Sequence, residues 1–290
     1  MKINKILFFD IVSFCIATCF LYFFASFVYF SEDFAWYANP DRLNQFGYIS
    51  FDKSRVALIS DQFQSLNIRV LVLSMITAFA QTTFLAVIRA NIPYENNSNY
   101  SFILGLLLVI SNVYLIQLGM HLWRQTVALY FLIAGIFSNK KLSLMFYLLA
   151  IFFHEVTLIL IVIYYTSGKF LNTKMHKILC SIISLSLFVM SSWIYFLPLI
   201  FSFFKLNNIM TKLNKIIFSI LIFNFVAFFF TPEPIYKTIN QRLTVIAGNM
   251  SVIAFLTMIY GRHKFFYGTY GIVSCVIFTF FICYGIIKYV

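Results

Sequence analysis

The sequence predicts an all-α, polytopic integral membrane protein, and three observations predict it. Of the 290 residues, 62% are hydrophobic and only 10% are charged, and the mean hydropathy is +0.90, far outside the range of a water-soluble globular chain. Apolar runs of about twenty residues, each long enough for a helix to cross roughly 30 Å of hydrocarbon, recur along the whole chain. The charged residues fall in small groups between those runs. A water-soluble enzyme is excluded.

The apolar-window criterion places about nine spans, at roughly 6–30, 68–88, 100–119, 122–138, 142–166, 178–204, 216–230, 244–260 and 269–287. The first follows Lys2 and Lys5 like a signal peptide, but it is too long for such a segment and ends in aromatics, so it is expected to stay as an anchor. With Lys2 and Lys5 inside, successive crossings put Arg89, the pair Lys140 and Lys141, the group Lys205, Lys212 and Lys215, and Arg262 with Lys264 on the cytoplasmic side, as the positive-inside bias requires. One loop breaks the pattern. Lys169, Lys174 and Lys177 fall outside in this count, so either that loop is an exception or the span containing His154 is broken and re-entrant.

No linker, low-complexity block or repeat divides the chain, so residues 1–290 read as a single transmembrane domain. Its one long outer loop, 31–67, holds Glu32, Asp33, Asp41, Asp52 and Asp61 out of nine carboxylates in the protein. Trp36, Tyr37, Phe46, Tyr48 and Phe51 give this loop enough aromatic surface to act as a lid or to lie at the interface, though a solvated connector accounts for it equally.

A net charge of +12 suggests nucleic acid at first sight, but no continuous basic face exists, and the scattered charges read as topology. Cys15, Cys19, Cys180, Cys275 and Cys283 all lie in apolar runs, where they are expected to behave as small buried hydrophobes rather than as disulfides or metal ligands. Nucleotide-driven transport, dinucleotide chemistry, zinc proteolysis and serine hydrolysis lack their motifs.

Three polar constellations remain, and ionisable groups within membrane spans are costly enough that they usually face a polar cavity or a ligand. In the first, His121, Arg124, Gln125 and Ala128 share one face of a helix through i+3 and i+4 spacing, and the guanidinium fork at a helix start suits a phosphate. The alternative is that Arg124 snorkels to the outer interface beside His121 and Trp123. In the second, His154 and Glu155 interrupt the run LLAIFFHEVTLILIVIYY. On a continuous helix they project about 100° apart, His154 in line with Leu158 and Glu155 with Ile159, either as catalytic groups or as a structural hydrogen-bonded pair. The third is Thr231-Pro232-Glu233-Pro234-Ile235-Tyr236-Lys237 leading to Arg242. Its prolines favour an extended turn, and Arg242 is placed like Arg124, to clamp a diphosphate or to sit in an ordinary interfacial cluster.

Trp123-Arg124-Gln125-Thr126-Val127-Ala128 opening a span, then the basic turn Asn139-Lys140-Lys141, then an apolar run with Phe153-His154, resemble the EpsG-like, Wzy-type polysaccharide polymerases. The resemblance covers roughly residues 118–165, with Glu155 standing where that family often carries a small residue. It implies a GT-C-like membrane glycosyltransferase of the bacterial inner membrane, joining undecaprenyl-diphosphate-linked repeat units at the outer face. Its partners would be that lipid-linked glycan, membrane lipid and a chain-length regulator, with neither cofactor nor metal. Arg124, Gln125, Arg242 and His121 would hold the diphosphate, and Trp36, Tyr37, Tyr48 and Tyr236 the glycan. His154 would deprotonate the acceptor hydroxyl, with Glu155, Asp33 and Asp41 in reserve. The contrasting expectations are a flippase or transporter of a lipid-linked glycan, and a membrane acyltransferase, whose early-helix His is missing here.

Overall fold

The computed structural model describes residues 2–27, 34, 37, 38, 59, 62–91, 123–167 and 229–236. Every regular element among them is helical: α1 (Lys2–Phe27), α2 (Leu66–Asn91), α3 (Trp123–Phe137), α4 (Lys140–Phe153) and α5 (Val156–Ser167). The chain divides into two compact units, one of Met1–Ala90 with Ser98–Thr157 and the other of Asn91–Asn97 with Leu158–Val290. Everything from α1 through the start of α5, apart from Asn91, therefore belongs to the first.

Helices α1 and α2 turn small and polar groups inward beside a few large ones and leave many large apolar groups outward. On α1, Ser13, Ala17, Leu21 and Ala25 recur every fourth residue and are buried, while Phe8, Ile11, Ile16 and Phe23 are exposed. Cys15 and Cys19 lie on that exposed face. The expectation of burial fails for them because a two-residue offset from Ala17 and Leu21 turns them about 200° away; the other three cysteines lie outside the described residues. On α2, Ser74, Thr77, Gln81 and Thr82 are buried whereas Leu66, Ile68, Leu71, Met75 and Phe79 are exposed. Thr77 and Thr82 are satisfied within the helix, each hydroxyl donating to the carbonyl four residues back at 2.8 Å. Leu66–Val87, 22 residues of mean hydropathy 1.9, is the described helix long and apolar enough to cross a membrane.

Helices α3 and α4 form an antiparallel hairpin, the one extensively close-packed pair among the described helices. Its turn is set by Asn139, which has extended backbone and accepts from the Leu142 N–H at 3.1 Å, capping α4. Lys140 and Lys141 are exposed in the first turn, where the helix dipole disfavours cations; local helix energetics do not explain their position. The hairpin closes because residue 135 is glycine: a Cβ there would stand 2.6 Å from the Tyr147 ring and 3.3 Å from the Ser143 carbonyl oxygen. Phe131 then stacks on both Phe146 (6.3 Å) and Phe153 (5.9 Å). On α3 all residues but Gln125 are buried, as expected of an apolar helix surrounded by others.

Two local expectations need correction. The run 142–166 is not one helix: α4 ends at Phe153, His154 adopts extended backbone (φ −154°, ψ 113°), and α5 restarts at Val156. The alignment of His154 with Leu158 and of Glu155 with Ile159 accordingly does not exist. The proline segment is not extended either. Residues 233–236 form a helical turn in which the Tyr236 N–H donates to the Pro232 carbonyl at 3.0 Å. Proline is tolerated there because the first-turn N–H groups have no helical partner to lose.

Candidate functional site

Trp123, the first residue of α3, is 1% exposed and joins four separate segments. Its indole N–H donates to Thr77 Oγ1 of α2 at 2.7 Å. Its ring meets Phe34 edge-on at 6.1 Å, Tyr37 at 5.5 Å and Phe153 edge-on at 6.0 Å. The start of α3, the residues Phe34 and Tyr37 beyond α1, the middle of α2 and the end of α4 are thus held to one side chain. Aromatic pairs at such separations contribute about 0.5–1.5 kcal/mol each beyond the area they bury.

Arg124 follows at the same end of α3 and is 8% exposed, so it does not reach out to a surface. Its guanidinium carbon lies 5.7 Å from the centre of the Tyr37 ring, a distance at which the negative ring face attracts a cation. Tyr37 is itself 0% exposed, enclosed between Trp123 and Arg124. Gln125 is half-buried beside them.

Trp123 does not mark the rim of α2. Thr77 stands eleven residues beyond Leu66, about 16 Å along the axis. Further on, Gln81 donates to the Tyr130 hydroxyl at 3.4 Å, Phe84 meets Tyr130 at 5.4 Å, and Phe79 meets Phe131 at 6.2 Å. From Thr77–Trp123 to Gln81–Tyr130 and Phe84–Tyr130 the pairing advances along both helices, so α2 and α3 run in the same sense, with the start of α3 recessed along α2.

At the far edge of Trp123, Phe153 leads into the helix break. His154 is 7% exposed, and Glu155 is exposed. His154 manages both helix ends. Its N–H donates to the Ala150 carbonyl at 2.9 Å, and its carbonyl accepts from the Thr157 N–H at 3.1 Å and the Thr157 hydroxyl at 2.6 Å. Its Nδ1 accepts from the Val156 N–H at 3.3 Å, as an Asn or Asp side chain does at a helix start.

Arg124 and Tyr37 therefore meet beside Trp123, and His154 follows Phe153, whose ring touches the same indole; Glu155 is exposed at the break. Tyr236 is half-buried in the helical turn of the second unit. Asp33, Asp41, Trp36, Tyr48, His121 and Arg242 lie outside the described residues. The residues that sequence reading missed are Trp123 as an organiser and its partner Thr77. The available signal was the polar i, i+4 pair Thr77 and Gln81 in an otherwise apolar run. Compared with protein-family models, with curated proteins and with solved structures, the chain matches none.

Proposed function

We propose that the protein is a polytopic membrane glycosyltransferase of the Wzy polymerase kind, joining lipid-diphosphate-linked repeat units at the outer face of a bacterial inner membrane. The observation that carries the reading is Arg124: a permanently charged group, 8% exposed, at the start of a nearly wholly buried helix. A guanidinium at a helix start presents a planar fork of donors where unpaired N–H groups already favour negative charge, an arrangement suited to phosphate oxygens. A membrane environment is supported by the exposed apolar faces of α1, α2, α4 and α5, which water would penalise and lipid would not. Because α2 and α3 run in the same sense, the chain must return between them, and the apolar run 100–119 has the length to do so. That supports a crossing between them, as the reading of about nine spans proposes.

In the reaction, a hydroxyl of the acceptor glycan attacks the anomeric carbon of the donor sugar, and the lipid diphosphate departs. Arg124 meets the charge that develops on the departing diphosphate, where a preorganised donor is worth more than in water. His154 is the proposed base for the acceptor hydroxyl, with Glu155, Asp33 and Asp41 in reserve. Tyr37 holds the guanidinium in place. Trp36, Tyr48 and Tyr236 are the remaining aromatic candidates for the sugar rings, and Gln125, His121 and Arg242 for the diphosphate.

The transporter reading draws on one observation of its own, the helix break at His154, since interrupted helices build substrate sites in carriers. Expression of Arg124→Ala in cells that make the polymer separates the two. On the polymerase reading, single repeat units still reach the outer face and are used as caps, while longer chains vanish. On the carrier reading, no unit arrives.

A further inference from the structure

The seam between α2 and α3 carries polar groups that neither the diphosphate site nor the helix break uses. The Gln81 amide donates to the Tyr130 hydroxyl at 3.4 Å, and Gln81, Thr126 and Tyr130 are each 4% exposed. Gln81 Oε1 and the Thr126 hydroxyl oxygen are buried and have no hydrogen-bond partner among the described residues. The hydroxyl hydrogen of Tyr130 has no acceptor among them either, since the one bond of that oxygen is the one it accepts from Gln81. Thr77 and Thr82 spend their hydroxyls on carbonyls of their own helix, and Thr126 does not. Buried polar groups left in this state are costly, and most costly in an apolar bundle.

Helix register brings these groups together. Thr126 follows Trp123 by three residues and precedes Tyr130 by four, so it shares the face of α3 that meets α2. Counted from the Thr77–Trp123 bond, Gln81 rises four residues along α2 and Thr126 three along α3, about 6 Å and about 4.5 Å in the same sense. The two residues therefore stand on facing sides of the seam within about 2 Å of one level, and Tyr130 lies one turn above. Arg124 is two residues from Thr126, which turns it about 160° away around α3, so the seam is separate from the diphosphate site.

We infer that the seam is a binding site for one ordered water, which bridges Gln81, Thr126 and Tyr130. Its hydrogen-bonding capacity matches what the three groups leave unspent: it donates to Gln81 Oε1 and to the Thr126 oxygen, and accepts from the Tyr130 hydroxyl. A metal cation matches them poorly, because the site offers no carboxylate, the helix carbonyls are spent within the helices, and Tyr130 and Thr126 each bring a hydrogen of their own. Side chains enclosed to this degree leave no opening for a lipid or glycan group. The bridge ties α2 to α3 at a second level, one turn beyond the Thr77–Trp123 bond, where surrounding hydrocarbon could satisfy none of these groups.

The test is radiolytic hydroxyl labelling of the full-length protein in lipid nanodiscs, in which a water held beside a side chain labels it on irradiation however deep it lies. Tyr130 is expected to be labelled although it is buried, whereas Phe137, as deeply buried further along α3, is not. After rapid mixing into oxygen-18 water, the exposed Tyr165 should take up the heavy isotope at once and Tyr130 only slowly, as an enclosed water exchanges. Gln81→Leu/Thr126→Val removes two of the three partners with little change of shape and should bring labelling at Tyr130 down to the Phe137 level. The wild-type comparison decides by itself if that variant does not fold. Labelling of Tyr130 no stronger than that of Phe137 in the wild type, heavy oxygen entering Tyr130 as fast as Tyr165, or a label that persists undiminished in the folded variant overturns the site.

Discussion

The indole N–H of Trp123 donates to the hydroxyl of Thr77 at 2.7 Å, and that hydroxyl donates in turn to the Leu73 carbonyl at 2.8 Å. This short chain of hydrogen bonds fixes the start of α3, and hence Arg124, against the middle of α2. Thr77→Val preserves shape and leaves the indole N–H buried with no acceptor, at a cost of about 1 kcal/mol, while Thr77→Ser keeps the bond. Unfolding in mixed micelles should therefore rank wild type and Thr77→Ser together and Thr77→Val below them. Equal stability of all three would show that the bond contributes nothing.

Tyr37 holds the Arg124 guanidinium through its ring face. Tyr37→Phe retains the face and Tyr37→Leu removes it, so only the leucine variant should raise KM for lipid-linked substrate. Buried cation–π contacts contribute about 2 kcal/mol, which corresponds to an effect of about thirtyfold. An unchanged KM in the leucine variant would remove Tyr37 from the site.

His154 has two separable duties. Its Nδ1 caps α5 and its ring serves the proposed transfer, and asparagine reproduces the first alone because its side-chain oxygen accepts from the same N–H. His154→Ala should lose about 1 kcal/mol of stability together with turnover. His154→Asn should recover the stability and not the turnover. Recovery of both would make the residue purely structural.

The α3–α4 hairpin tests close packing. Gly135→Ala drives a methyl to 2.6 Å from Tyr147 Cε1, which costs about 1–3 kcal/mol as the ring is displaced. Shortening the neighbour in Gly135→Ala/Tyr147→Leu should give back part of that loss, so the two changes should not add. Additive losses would mean the close approach carries no strain.

Apolar windows made the helical class legible, and they also placed α1, α2 and the α3–α4 turn at Asn139 close to where the structure has them. The break at His154 entered the sequence reading only as one of two ways to account for Lys169, Lys174 and Lys177, because no glycine or proline marks it. It depends on Thr157 and Val156 both bonding back to one histidine, a pattern that an apolar window averages away. Burial of Tyr37 escaped for a different reason. Its partners Trp123 and Arg124 lie more than eighty residues further along the chain, and an aromatic in a polar loop reads the same whether it faces lipid, water or a tryptophan. The orientation of Cys15 and Cys19 shows the same limit, since in an apolar run both faces of a helix carry apolar residues and periodicity cannot tell inward from outward.

The central claim is that Arg124 stabilises a departing lipid diphosphate during glycan transfer. Purified protein incubated with undecaprenyl-diphosphate-linked repeat units should release undecaprenyl diphosphate and build a ladder of chain lengths, and Arg124→Ala should lower that release by at least about a hundredfold with the fold intact. A normal ladder from the alanine variant, or no release from the wild-type protein under conditions where it binds the substrate, contradicts the account.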